Sequence, residues 1–205
     1  MFYQPKDGHN LPHNPFNALV TPRPIGWISS VSQAGKVNLA PYSFFNAVAY
    51  FPPQVMFSST GHHQQGGLKD SVSNIRETGE FVVNIATYDL REALNKTSAP
   101  APHDVDEFDY AELEKAESHI VSVPRVAESP AHLECKLTQI VDLPYEDQHG
   151  PNLAVFGEVV GIHIDESILV DGLVDAKKMA PISRMGYQDF SALGDLFTMK
   201  RPTWK

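Results

Sequence analysis

The chain has 205 residues, 42% of them hydrophobic, which is enough to bury one sizeable core and predicts a single domain over 1–205. With 16 Lys and Arg against 25 Asp and Glu the formal charge is −9, and no basic run stands out, so a nucleic-acid surface is unsupported and anions must be held by local donors. A single cysteine, Cys135, excludes an intramolecular disulfide and a cysteine-rich metal site.

The N-terminal MFYQPKDGHN has no basic segment followed by an apolar core, so it does not read as a secretory signal. No apolar run approaches the roughly 20 residues of a membrane helix. The default expectation is a cytoplasmic protein with no membrane partner. Sixteen prolines and 13 glycines suit short strands and many turns.

Residues 1–17 show no periodicity and read as an extended arm. After Leu19-Val20-Thr21 and Pro22-Arg23-Pro24, the alternation of Ile25 to Val31 predicts a strand. Gln33 to Lys36 is a turn, and Val37 to Ala40 returns as the second arm of a hairpin. Residues 44–51 are apolar and aromatic, Pro52-Pro53 punctuates them, and Val55 to Ser59 is a third strand. Beyond the glycine-rich loop Gly61–Gly67, Leu68, Val72 and Ile75 recur at helical spacing; Asp70 or Ser71 is placed to cap that helix and Gly79 to end it. Glu80 to Ile85 is a fourth strand, and Asp89 to Asn95 a short helix.

Residues 98–130 are rich in proline and acid and read as a long surface excursion with a short helix near Glu107–Leu113. Ala131 to Leu137 alternates as a half-buried strand. Asn152 to Ile164 is a long strand, apolar on both faces in its middle. The fold class is therefore mainly β: a β-barrel with helical additions.

Phosphate-loop, dinucleotide and nucleophile-elbow glycine motifs are absent from the sequence. His62-His63 reads best as an exposed loop and His103 to Glu107 as a solvated acidic loop, since the ordered spacing of a calcium loop is missing. Cys135 falls on the apolar face of its strand and reads as a buried, inert thiol. More informative are small polar residues at strand ends and turns: Ser29, Ser30, Asn38, Ser43, Asn46, Ser58, Ser59, Thr60 and Ser71. Beside them Lys69 opens a helix, and Arg23 is locked between two prolines. Such positions suit a neutral planar ring with many acceptors and one phosphate at the helix start. A helix start that is merely capped explains Asp70 and Ser71 equally well.

Nine segments, in order, resemble the FMN-binding flavin reductase-like family. They include Thr21 to Ser29, Asn38 to Asn46, Pro52 to Ser58, Lys69 to Asn74, Glu80 to Asn84 and Phe156 to Val159. Asn95 to Ser98, Asp106 to Phe108 and Pro124 to Val126 also fit, and the likeness runs from about Leu19 to Tyr187. The resemblance implies an FMN-binding split β-barrel, a homodimer, and FMN near the subunit interface. It implies that Asn38 to Asn46, with Phe45 among them, line the ring, largely through main-chain groups at Ala40, Pro41, Tyr42 and Ser43. Thr21, Arg23, Ser29, Ser30 and Ser58 to Thr60 are implied to contact ring, ribityl or phosphate. Lys69, with Asp70 and Ser71, matches the phosphate side, and Arg184 matches a C-terminal arginine near the cofactor.

The activity so implied is flavin reductase: hydride passes from NADH or NADPH to FMN and on to free flavin, a partner oxygenase or another electron carrier. Hydride transfer needs stacking and alignment more than an acid or base, which agrees with the lack of a catalytic dyad. Three rivals are an FMN-binding electron carrier of flavoredoxin type, a flavin-binding module without turnover, and a metal-dependent hydrolase using His62, His63, His103 and Asp104.

Overall fold

The computed structural model describes residues 1–204. Seven antiparallel strands form the main sheet: β1 (Gly26–Val31), β2 (Val37–Tyr42), β3 (Phe45–Tyr50), β4 (Pro53–Thr60), β5 (Glu80–Ile85), β6 (Ala131–Leu143) and β7 (Asn152–Ile164). Their spatial order is β2-β1-β5-β6-β7-β4-β3. Three helices bear on the site: α1 (Asp70–Thr78), α2 (Arg91–Lys96) and α3 (Glu107–Tyr110).

The order explains the architecture. β2 and β3 lie at opposite edges of the sheet, yet only Ser43 and Phe44 separate them along the chain. The sheet must therefore curl until its edges approach. At the junction the Ser58 N–H donates to the Phe44 carbonyl at 2.8 Å, and the Tyr42 and Phe57 rings stand 4.7 Å apart. No ladder links β2 to β4 among the described residues, so the barrel stays split along that seam. Two register shifts in the β6–β7 ladder, at Phe156/Gly157 and Val159/Gly161, bend the long strands to follow the curl. Gly157 sits at one of them because a Cβ there would lie 2.4 Å from the buried Phe81 ring.

Both faces of β1 are covered. Ile28 points into the barrel with Phe57, Phe81, Val83, Cys135 and Val155, and Val72 and Ile75 of α1 pack into that cluster. Trp27 packs on the other face with Leu39, Leu94, Phe108, Leu113 and Val126. Every buried side-chain nitrogen or oxygen among the described residues has a partner. Among the described residues no helix is long and apolar enough to cross a membrane.

Several expectations need correction. Residues 98–130 are not merely a surface excursion: Phe108, Leu113, Val121, Val123 and Val126 are buried, because this segment covers the outer face of β1 and β5. Residues 45–50 form a strand, and β6 continues to Leu143 rather than stopping at Leu137. Neither Asp70 nor Ser71 caps α1; Lys69 is the N-cap, without a side-chain bond, while Gly79 ends the helix in the left-handed region as expected. Cys135 is fully buried, and burial raises its thiol pKa, so the inert reading holds.

Candidate functional site

A cavity of about 580 Å³ opens along the seam. One wall is β2 with its exit, from Asn38 and Ala40 to Phe44. The opposite wall is the end of β4, with Ser58 and Thr60. The start of α1 closes one side with Lys69, Asp70 and Ser71, and the chain following α2, Thr97 to Ala101, closes another. Arg23, Arg184, Tyr187 and Phe190 complete it, with Asn14 and Asn17 from the N-terminal arm.

β2 pairs with β1 alone, so its other edge is free of strand partners among the described residues. The Leu39 N–H points that way and donates to the Glu107 carboxyl group at 3.0 Å. Strand alternation gives Pro41 the same outward side, where it has no N–H and leaves only its carbonyl oxygen. Between Leu39 and Pro41 this edge thus offers a ligand carbonyl oxygens only, the Leu39 N–H being engaged by Glu107.

Beneath this edge a polar cluster fixes the cavity floor. Asn38 donates to the Ser71 hydroxyl at 2.8 Å, joining β2 to α1. Burial raises the Tyr42 phenol to about 12, although the Ser71 and Ser59 hydroxyls lie against it, so it stays a neutral hydrogen-bonding group. Burial also lifts Glu107 to about 7; the charges of Asp70 and Asp106 add to that effect, while the Leu39 N–H opposes it.

The cations of the cavity have no carboxylate partners. Arg23 and Arg184 are directly opposed residues of a short antiparallel strand pair, and neither makes a salt bridge among the described residues. Arg23 donates instead to the carbonyls of Asn17, Val20 (2.7 Å) and Met185 (3.1 Å). Its pKa is lowered by burial and by the charge of Arg184. Arg184 lies over the Phe190 ring at 4.5 Å. Lys69 also lacks an ion pair among the described residues, and burial lowers its pKa. Three cations without carboxylate partners, beside an Asp70 that turns to His103 and a Glu107 that accepts from Leu39, make a site that an anion would complete.

Twelve of the residues singled out in the sequence line this cavity: Arg23, Asn38, Ala40, Pro41, Tyr42, Ser43, Ser58, Thr60, Lys69, Asp70, Ser71 and Arg184. The other six do not. Ser29 and Ser30 are fully buried: Ser29 donates to the Pro124 carbonyl at 2.7 Å, and Ser30 accepts from Asn74 at 3.1 Å. They tie β1 to the covering segment and to α1. Ser59 is buried behind the wall, against Tyr42. Phe45 packs over Gly26, where a Cβ would meet its ring at 2.6 Å. Asn46 is exposed and bonds to the next N–H, and the Thr21 hydroxyl donates to Ala18. Reading the residues alone put His63 in an exposed loop and Glu107 in a solvated one, but both are largely buried in the cavity wall. It also passed over Thr97 to Ala101 as wall residues. Glu107 and Thr97 lay within matched segments, but no spacing rule brought them to the ring segment.

The fold and cavity define a ligand-binding split barrel. The chain belongs to the flavin reductase-like family, a family of flavin-binding oxidoreductases, whose domain model matches residues 19–182. An uncharacterized protein of Halalkalibacterium halodurans is 37% identical, the match covering 90% of this chain and 88% of that one. The structure of nitrilotriacetate monooxygenase component B from Bacillus cereus superposes with a TM-score of 0.87 at 32% identity, covering 97% of this chain and 98% of that one. The 2-nitrobenzoate 2-nitroreductase of Pseudomonas fluorescens superposes with a TM-score of 0.79 at 27% identity, covering 92% and 89%.

Proposed function

We propose that the seam cavity binds FMN and that the protein is a flavin reductase, passing hydride from NADH or NADPH through FMN to a flavin or another acceptor. The observation that carries this reading is the set of cations without carboxylate partners, Arg23, Arg184 and Lys69, in a cavity whose two carboxyl groups, Asp70 and Glu107, are engaged by His103 and by the Leu39 N–H. A planar ring with one phosphate matches that distribution. Lys69 and the start of α1 take the phosphate, because free N–H groups and the helix dipole add to the lysine charge. An outward carbonyl of the β2 edge accepts the single N–H of the oxidised ring and so orients it. Bound FMN supplies hydride acceptance and release; the protein supplies alignment and shields the site from water.

The likeness to a monooxygenase component from Bacillus cereus favours an acceptor that is, or feeds, a partner oxygenase. A homodimer fits the uncovered apolar end of β3, where Tyr50 is 86% exposed and the adjoining Phe51 97% exposed.

The test is the visible spectrum of the purified protein before and after anaerobic addition of NADH or NADPH. A yellow protein that bleaches rapidly is the expected result. One that stays oxidised with both donors would instead support an electron carrier. A colourless protein that also refuses added FMN would end the proposal.

A further inference from the structure

We propose that His63, Asp70 and His103 form a binding site for one divalent transition-metal ion, best matched by zinc, at the mouth of the seam cavity. Their ligand atoms all lie within 4.8 Å of one another. The two oxygens of Asp70 face different imidazoles: Oδ1 is 2.6 Å from His103 Nδ1, and Oδ2 is 3.7 Å from His63 Nε2. The two rings stack with centroids 3.7 Å apart. No lysine or arginine pairs with this carboxylate among the described residues.

The three side chains come from the loop after β4, the first turn of α1, and the segment between α2 and α3. Two imidazoles and one carboxylate are a donor set for borderline ions such as zinc, not for calcium or magnesium, which take oxygen ligands. The carbonyl oxygen of Ala101, 2.9 Å from His63 Nε2, offers a fourth donor on the same side. A bound ion would clasp the segment between α2 and α3 to the start of α1.

The hydrogen bonds show what the ion must displace. His103 holds its proton on Nδ1 toward Asp70; moving it to Nε2 is easy, because this side chain is 42% exposed. His63 Nδ1 accepts the Gln65 N–H at 3.1 Å, so Nε2 carries the proton and donates to Ala101. Ligation through Nε2 reverses this tautomer and releases the Gln65 N–H to solvent. Gln65 is exposed, and Gly66 and Gly67 follow it, so the loop has freedom to turn.

The other histidine cluster, at the far ends of β6 and β7, offers no comparable site. Glu134 is saturated by three backbone N–H groups and His163, and both nitrogens of His132 are engaged.

The site is independent of the flavin reading and is tested on flavin-free protein. After chelator treatment and dialysis, the full chain is titrated with Zn²⁺ by calorimetry and with Co²⁺ by visible absorption. The expected result is saturable uptake of a single ion per chain. His103→Ala and His63→Ala should each weaken it roughly tenfold or more, the least that losing even an outer partner costs. His62→Ala and His163→Ala should leave it unchanged. Circular dichroism checks the fold of each variant; should His63→Ala unfold, the exposed His103 still carries the test. Absence of saturable uptake, or uptake that survives loss of His103, would overturn the proposal whether or not FMN binds.

Discussion

The carboxyl group of Glu107 accepts the backbone N–H of Leu39 at 3.0 Å, joining the first residue of α3 to the outer edge of β2. Burial, with the nearby charges of Asp70 and Asp106, moves its pKa from 4.5 to about 7. A raised carboxyl pKa means that the folded state holds the proton more tightly than the unfolded one. Its contribution is therefore complete below pH 4.5 and lost as the pH rises through 7, a span worth about 3 kcal/mol. Glu107→Gln keeps the oxygen for Leu39 and cannot ionise. Urea unfolding should show the variant more stable than wild type by about 2–3 kcal/mol at pH 8 and indistinguishable at pH 4. Equal midpoints at pH 8 would mean that Glu107 ionises at its ordinary value.

Lys69 stands in the cavity wall with its charge unmatched, and burial already disfavours that charge. A phosphate there would gain a charge-assisted hydrogen bond worth about 1.5–3 kcal/mol. Lys69→Ala should weaken FMN binding roughly tenfold to a hundredfold and leave riboflavin, which lacks the phosphate, nearly unchanged. Flavin fluorescence titrations with both ligands decide it. Equal losses for the two would place Lys69 on the ring rather than the phosphate.

Tyr50 ends the edge strand β3 with 86% of its surface exposed, and the next residue, Phe51, is almost wholly bare. An exposed apolar edge is a place where a second chain docks. Sedimentation should give twice the mass of one chain, and Tyr50→Glu should shift the population toward one. A wild-type protein with the mass of a single chain would remove the homodimer and any site that depends on it.

The regular elements were legible wherever a single face controls the pattern. β5 runs over Glu80–Ile85 and β7 over Asn152–Ile164, as their apolar patterns indicate, and Gly79 stops α1 because only a left-handed residue fits there. Legibility failed where burial comes from distant segments. Ser29 and Ser30 look like ligand donors in sequence, but Asn84 donates to Ser29 and Asn74 to Ser30 from 55 and 44 residues away. Glu107 looks like part of a solvated acidic loop, and it is buried because α3 lies against β2. Asp70 sits where a cap belongs, yet its carboxylate turns to His103, 33 residues on. β3 eluded its pattern because it alternates poorly, being exposed along most of its length.

Glu134 gives the opposite pH dependence to Glu107. The side chain is fully buried, yet its carboxylate accepts the backbone N–H groups of His119, Ile120 and Val121 at 2.7–2.9 Å and pairs with His163 at 2.5 Å. Burial opposes its charge, but these donors outweigh that cost and lower the pKa from 4.5 to about 2. A lowered carboxyl pKa stabilises the fold above pH 4.5, and that stabilisation is lost as the pH falls through 2. The full span is about 3 kcal/mol. Glu134→Gln removes it and also sets an amide NH₂ against backbone donors, leaving at least one unsatisfied. The variant should lose about 3 kcal/mol or more in urea at pH 7, with a gap to wild type that narrows markedly by pH 3. A gap independent of pH would show that the loss comes from the unsatisfied donors alone. Loop 119–121 would then be held by geometry rather than by the charge of Glu134.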